Sequence, residues 1–178
     1  MKNTQLLIIS ILLFCNFGFA QTGETKSSKE STKLEFIFSP GVLVQKEIFT
    51  EFNIILGEVS DIFPPKFFPV VGVQGYRIGL ETNLKSNEDF IIAPKLGYEI
   101  SITFFSMRLS ALNYFQNNKS EFRILPELGA SFGGMFNLTY GYGISFNNTI
   151  SGISNHRLSF SINLNKRLSK ANSRLRNH

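Results

Sequence analysis

The sequence predicts an all-β fold, an eight-stranded antiparallel up-and-down transmembrane β-barrel. Three observations carry that expectation. Apolar residues recur at every second position in segment after segment. Phe136, Leu138, Tyr140, Tyr142, Ile144 and Phe146, for example, alternate with Asn137, Thr139, Gly141, Gly143 and Ser145. Successive strand side chains point to opposite faces, so period two means one apolar and one polar face. Repeated segments of about ten such residues are what a bilayer-spanning barrel requires. The apolar faces are nearly free of charge, whereas the polar faces carry Gly, Ser, Asn and charges of both signs. No stretch beyond residue 20 holds about 18 apolar residues in a row, so no spanning helix is expected.

Residues 1–20 read as a signal peptide. Lys2 begins it, Leu6–Phe14 is a short apolar run, and Gly18 and Ala20 are the small residues before a cut at Gln21. Phe14 before Cys15 argues against a lipoprotein signal. Without the leader the chain has 178 − 20 = 158 residues, enough for one domain, and no cysteine for a disulfide or thiolate metal site. Residues 21–33, rich in Ser, Thr, Lys and Glu, are expected to be a disordered linker. The barrel is expected over 34–165 and a basic tail over 166–178. That tail holds Lys166, Arg167, Lys170, Arg174 and Arg176 and no acidic residue. Without it and Lys2, 18 − 1 − 5 = 12 basic residues face 13 acidic ones. The pI of about 9.4 is therefore a property of one short segment and does not point to a nucleic-acid partner. The expected tail is a solvated end. A sharper alternative is contact with anionic headgroups or an acidic polymer.

Eight strands are expected near 34–45, 49–59, 70–83, 89–101, 103–115, 121–133, 135–147 and 155–165. In the first, Leu34, Phe36, Phe38, Val42 and Val44 share a face. In the fourth, Phe90, Ile92, Pro94, Leu96, Tyr98 and Ile100 do so, and in the sixth Phe122, Ile124, Pro126, Leu128, Ala130 and Phe132. The fifth switches to odd parity with Phe105, Met107, Leu109 and Ala111, as a tight turn near residue 103 would produce. The second and third are blurred. Ile55, Val59, Val71 and Val73 sit on the polar parity, and a bulge near Gly72 or Gly75 would reconcile the third strand. Connections alternate between tight turns and longer polar segments, namely Lys85–Asp89, Gln116–Ser120 and Asn147–Asn155. The Pro- and Phe-rich Asp61–Pro69 connection is the exception. Tyr140-Gly141-Tyr142 suits a membrane interface better than a ligand site.

Pro94-Lys95-Leu96-Gly97 recurs as Pro126-Glu127-Leu128-Gly129, and the following strands carry Leu112-Asn113-Tyr114 and Leu138-Thr139-Tyr140. The spacing suggests a duplicated hairpin. Over roughly 70–147 the pattern resembles the small outer-membrane β-barrels of Bacteroidota, with an eight-stranded OmpA/OmpX-like architecture. The resemblance implies a location in the cell outer membrane, contact with its lipid, and passage through the barrel-assembly machinery. Many such barrels end on an aromatic residue of the last strand; here Leu158–Leu164 leads into the basic segment instead.

On the parity reading Glu35, Arg77, Glu81, Lys95, Glu99, Arg108, Arg123, Glu127 and Arg157 all point into the lumen. An eight-stranded barrel is just wide enough to be filled by side chains, so buried charges there must pair. The expected site is thus a lumen charge network of Arg77, Glu81, Lys95, Glu99, Arg108, Arg123, Glu127 and Arg157, an ion-paired plug rather than a pore. Glu99 and Glu127 could be near neighbours, but arginines surround them. No catalytic, cofactor-binding or metal-ligating residue is assigned. The two histidines, His156 and His178, are not clustered with other ligands. A hydrolytic triad through His156 would need Asp61 or Asp89 from other loops. Gly72–Gly79 and Gly129–Gly134 do not open helical patterns and are not phosphate cradles. The expected function is a structural, adhesive or envelope-maintenance role without catalysis, with any extracellular partner met through the outer loops. The alternative is a secreted or periplasmic soluble barrel binding a lipid or other apolar ligand, with the two faces reversed.

Overall fold

The structure is a computed structural model that describes residues 33–63, 68–85, 90–147, 150 and 152–176. The expected signal peptide, nearly all of the expected linker, Asp89 and His178 lie outside the described residues. The strands are β1 (Glu35–Val44), β2 (Ile48–Ile62), β3 (Val70–Thr82), β4 (Ile92–Ile102), β5 (Phe105–Gln116), β6 (Lys119–Phe132), β7 (Phe136–Tyr142), β8 (Ile144–Ser145) and β9 (His156–Ile162). A helix, α1 (Lys166–Arg176), follows. From β1 to β7 each strand pairs antiparallel with the next, β8 pairs with β6, and β9 pairs with both β7 and β1. The sheet therefore closes on itself and has no free edge, as an up-and-down barrel must.

β7 and β8 are one physical strand, which makes the barrel eight-stranded. Glu127 pairs with Gly141 and Arg123 with Ser145, the same register on either side of the interruption. Pro126 lies inside that interval and has no N–H to give the ladder. Two more prolines sit at equivalent breaks. Pro94 falls between the pairs Ile92↔Phe115 and Lys95↔Leu112. Pro40 falls between the Phe38↔Leu164 bridge and the Gly41↔Ser161 pair. All three prolines lie on the outward parity.

The apolar parity faces outward around the whole barrel. Phe36, Phe52, Tyr76, Leu96, Leu109, Leu128, Leu138 and Phe160 are all exposed, and Glu58, hydrogen-bonded by Gln74, is the one charged residue on this face among the described strand residues. Aromatic side chains gather towards the strand ends: Phe90, Phe115, Phe122, Tyr142 and Phe146 at one end, Phe36, Phe68, Phe104, Phe132 and Phe136 at the other.

The interior has three layers. A charged middle layer lies between two apolar ones. At the end carrying the 45–47, 83–91, 117–118 and 146–155 connections, Leu43, Phe49, Ile91, Leu112, Tyr114 and Leu125 cluster with Ile150 and Ile153 of the last connection. At the opposite end Ile37, Ile55, Val59, Val71 and Val73 cluster with Leu168 and Ala171 of α1. Here the sequence expectation needs correcting. The apparently misplaced Ile55, Val59, Val71 and Val73 are not reconciled by a bulge. β2 and β3 pair without interruption from Thr50↔Thr82 to Ile62↔Val70. These four side chains point inward and floor the barrel under the helix.

The basic segment is likewise not simply a solvated end. Asn165 caps α1, its Oδ1 accepting from the Arg167 and Leu168 backbone N–H groups at 2.8 and 3.2 Å. Leu168, Ala171 and Leu175 recur at helical spacing and turn onto the barrel floor. Burying Leu168 alone contributes about 1.5–3 kcal/mol. Arg167 ties the start of α1 to Asp61 at 3.0 Å and Glu35 at 3.6 Å. Asn172 donates to the Gly133 carbonyl of the β6–β7 turn at 3.0 Å. Gly133 and Gly134 in that turn have φ values of 56° and 68°, a conformation that favours glycine.

Two further expectations fall differently. The Gln116–Ser120 connection is a tight hairpin, with Gln116 paired to Lys119 and Asn117 and Asn118 both at positive φ. The duplicated-hairpin echo is only half equivalent. Lys95 and Glu127 are both buried, but Leu112 and Tyr114 point inward whereas Leu138 and Tyr140 point outward.

Candidate functional site

The middle layer is built by alternation. Every strand that keeps an apolar face outward sends its intervening residues to the axis. Where those residues are long and charged they meet at the centre. Four cations, Arg77, Lys95, Arg108 and Arg157, interlock with four carboxylates, Glu51, Glu81, Glu99 and Glu127. All eight are buried, and the formal charges cancel.

Glu51 is the hub. Its Oε1 accepts from Arg77 Nη2 at 3.0 Å, its Oε2 accepts from Lys95 Nζ at 2.5 Å, and Arg157 and Arg108 stand at 3.8 and 4.0 Å. Glu51 and Glu81 are direct cross-strand partners, a destabilising like-charge pair if left alone. Lys95 bridges them, reaching Glu81 Oε1 at 2.7 Å. Arg157 adds a two-pronged contact with Glu81, both bonds at 2.9 Å. Tyr114 donates to the same carboxylate at 3.2 Å.

The other half of the network is a ladder. Glu99 faces Arg108, and Arg108 faces Glu127, on three successive strands. Arg108 thus separates the two carboxylates that the sequence suggested could be neighbours. Arg108 Nε lies 3.1 Å from Glu99, Arg77 also bonds Glu99, and Asn163 and Ser101 donate to it at 2.9 and 2.8 Å. Arg157 Nε lies 3.4 Å from Glu127, to which Ser159 donates at 3.1 Å. Room for these chains comes from inward glycines. A Cβ on Gly41 would come within 2.7 Å of Glu51 Oε1, and one on Gly141 within 2.8 Å of Glu127 Cγ.

Of the eight residues expected in the network, seven come together: Arg77, Glu81, Lys95, Glu99, Arg108, Glu127 and Arg157. Arg123 does not join them. It pairs with Glu121 at 2.6 Å near the loop-bearing end, donates to the Ser154 carbonyl at 2.7 Å, and lies over the Tyr114 ring. Glu121 also accepts from the Ile150 backbone N–H at 2.9 Å, which fastens the last connection into the mouth. Glu35 is at the opposite rim, tied to α1. Glu51 was absent from the expected set although its odd position in β2 marks it as inward. The blur from Ile55 and Val59 concealed that strand's polarity.

A set of eight matched charges holds shape and fills space. Each carboxylate is bound by cations, hydroxyls or amides. His156 is far from this chemistry. It lies on the outward parity of β9, its Nδ1 within 2.5 Å of the Tyr140 hydroxyl and its ring against Tyr142. Asp61, a possible triad partner, is at the far end of β2, beside α1. Among the described residues no group of three or more His, Cys, Asp or Glu is placed to hold a metal ion. No described helix is long and apolar enough to cross a membrane, which says nothing of strands.

Compared with known proteins, the chain matches no family model, no curated protein and no solved structure. The resemblance seen in the sequence therefore extends to architecture alone, a closed eight-stranded antiparallel barrel.

Proposed function

We propose that the protein is an integral β-barrel of a bacterial outer membrane, exported by its leader, with a structural or envelope-maintenance role and no catalysis. The observation that carries this reading is the outward belt of apolar side chains, continuous around a sheet without edges and interrupted, among the described strand residues, by a single charged residue, Glu58. A belt of this kind in water would be an unusually large exposed apolar surface; in hydrocarbon it is the lowest-energy arrangement. Aromatic residues towards both strand ends suit the two bilayer interfaces. The lipid of that membrane is then the main partner, and the assembly machinery is met during insertion.

A soluble barrel binding an apolar ligand needs the reverse: apolar walls around a cavity and a polar exterior. The charged middle layer disfavours it, as it disfavours a solute channel. An adhesive role through outer loops gains less support, because the 117–118 turn is minimal and Ile150 and Ile153 fold into the mouth.

The deciding experiment is membrane fractionation with a carbonate wash, combined with heat-modifiable migration on a gel. An integral barrel stays in the pellet and shifts on heating. A chain that washes off overturns the proposal. Planar-bilayer recording of the purified protein should find no large stable conductance.

A further inference from the structure

We infer that the outer face of α1 is a docking surface for a linear carboxylate-bearing polymer lying beneath the helix-capped end of the barrel. The inference rests on the bilayer-spanning reading and names a partner for its envelope role.

Two sides of one helix carry it. Leu168, Ala171 and Leu175 face the barrel floor together with Ile55, Val59, Val71 and Val73. Lys166, Lys170 and Arg174, spaced four apart, therefore form a stripe on the opposite side, and all three are exposed. The stripe is about 12 Å long at 1.5 Å per residue. None of its three cations has an ion pair with another described residue; Arg167, which does, is used to fasten the helix. Arg176 adds a fourth exposed cation, and α1 contains no acidic residue to neutralise them.

The orientation chooses between partners. A basic helix that binds a lipid surface lays its apolar face into the headgroup region and keeps its cations at the phosphates. Here the apolar face is already used on the barrel floor. The helix crosses the barrel floor from Glu35 and Asp61 at its start to the Gly133 turn, so its basic stripe points away from the lumen and out of the bilayer plane. Evenly spaced cations aimed into the adjoining compartment match a polymer with repeated carboxylates, which can meet several of them at once.

The test uses the full mature chain in nanodiscs of phosphatidylcholine, so that the bilayer itself is uncharged. Fluorescent poly-L-glutamate is titrated and followed by anisotropy. Binding should be saturable and weaken with salt. The triple variant Lys166→Gln, Lys170→Gln, Arg174→Gln should lose about tenfold or more in affinity, a few-fold for each exposed pair. The charge-keeping variant Lys166→Arg, Lys170→Arg, Arg174→Lys should bind as wild type, as should Lys46→Gln with Lys119→Gln at the other end. Unchanged affinity in the triple variant, or no binding by a correctly inserted wild type, overturns the inference. So does capture by phosphatidylglycerol vesicles without binding of polyglutamate, which would make lipid the partner. Loss on carbonate washing is a separate readout. It overturns the spanning reading and with it the orientation used here.

Discussion

Replacing Glu51 with Gln should destabilise the barrel severely, and removing a second charge should restore part of the loss. Glu51→Gln keeps the shape but leaves four buried cations facing three carboxylates. Lys95 and Arg77 lose their charged contacts at 2.5 and 3.0 Å, and Arg157 and Arg108 lose a neighbour within 4.0 Å. Breaking one partner out of a buried ion network typically costs about 3–5 kcal/mol, because the remaining charge stays desolvated. Adding Lys95→Met returns the count to three against three. Glu81 keeps its two bonds from Arg157, Glu99 keeps Arg77 and Arg108, and Glu127 keeps Arg157. The double variant should therefore be more stable than Glu51→Gln alone, by roughly 1–3 kcal/mol of coupling. Reversible urea unfolding in phosphatidylcholine vesicles, followed by heat-modifiable migration, measures all three variants. A loss under about 1 kcal/mol for Glu51→Gln, or a double variant less stable than either single, would refute charge balance as the organising principle of the lumen.

Other outcomes follow from single contacts. Leu138→Arg and Phe160→Arg on the outward face should each cost about 2–4 kcal/mol at mid-bilayer depth, whereas Leu138→Phe should be close to neutral in the same unfolding assay. Thr139 is a poor control for them, since it is fully buried in the packed lumen. Asn165→Ala removes the cap from two backbone N–H groups and should cost about 0.5–2 kcal/mol, seen first as faster hydrogen exchange in α1 and at Val59 and Val71 beneath it. At the opposite end, the Lys85 hydrogen bond holds the Glu47 carboxyl below its ordinary value of 4.5. The stabilisation from this pair is therefore present above the unfolded-state value and lost as pH falls through the lowered folded one. Carboxyl-resolved NMR titration should place the Glu47 midpoint below that of its Lys85→Gln variant, and an unchanged midpoint would remove Lys85 as the cause.

Most of the barrel was legible from parity, because a closed sheet with one face in each environment imposes period two on every strand. Strand positions, the parity switch at Phe105 and seven members of the network all follow from that rule. It failed where the interior is itself apolar. Ile55, Val59, Val71 and Val73 look misplaced unless a helix is known to cover them. The helix in turn was hidden by composition. Its Asn165 cap and the Leu168, Ala171, Leu175 spacing are present in the sequence, but five basic residues made the segment read as solvated. Glu51 stayed outside the expected network because Ile55 and Val59 blur β2, although Phe52, Ile54 and Leu56 on one parity against Glu51 and Asn53 on the other show which way it points. The Pro-x-Leu-Gly echo misled in its second half because β5 turns its odd positions outward and β7 its even ones, so the even-numbered Leu112 and Leu138 lie on opposite sides of the wall.

The sequence distances within the lumen bear on how such a chain can be assembled. Glu51 bonds Lys95 across 44 residues, and Glu81 bonds Arg157 across 76. The β1–β2 hairpin therefore brings in a carboxylate whose cations arrive only with β3, β4, β5 and β9. Placed alone in a bilayer, the β1–β2 hairpin would carry one unmatched charge; β3 and β4 each bring one cation and one carboxylate and leave that imbalance in place, Arg108 of β5 cancels it, and Glu127 of β6 restores it. Ring closure, when β9 meets β1 and Arg157 reaches Glu81 and Glu127, brings the interior back to neutrality. If the barrel spans a bilayer as proposed, strand-by-strand entry would bury a net charge at most stages, so the low-energy route is one in which the sheet is nearly complete before it leaves water.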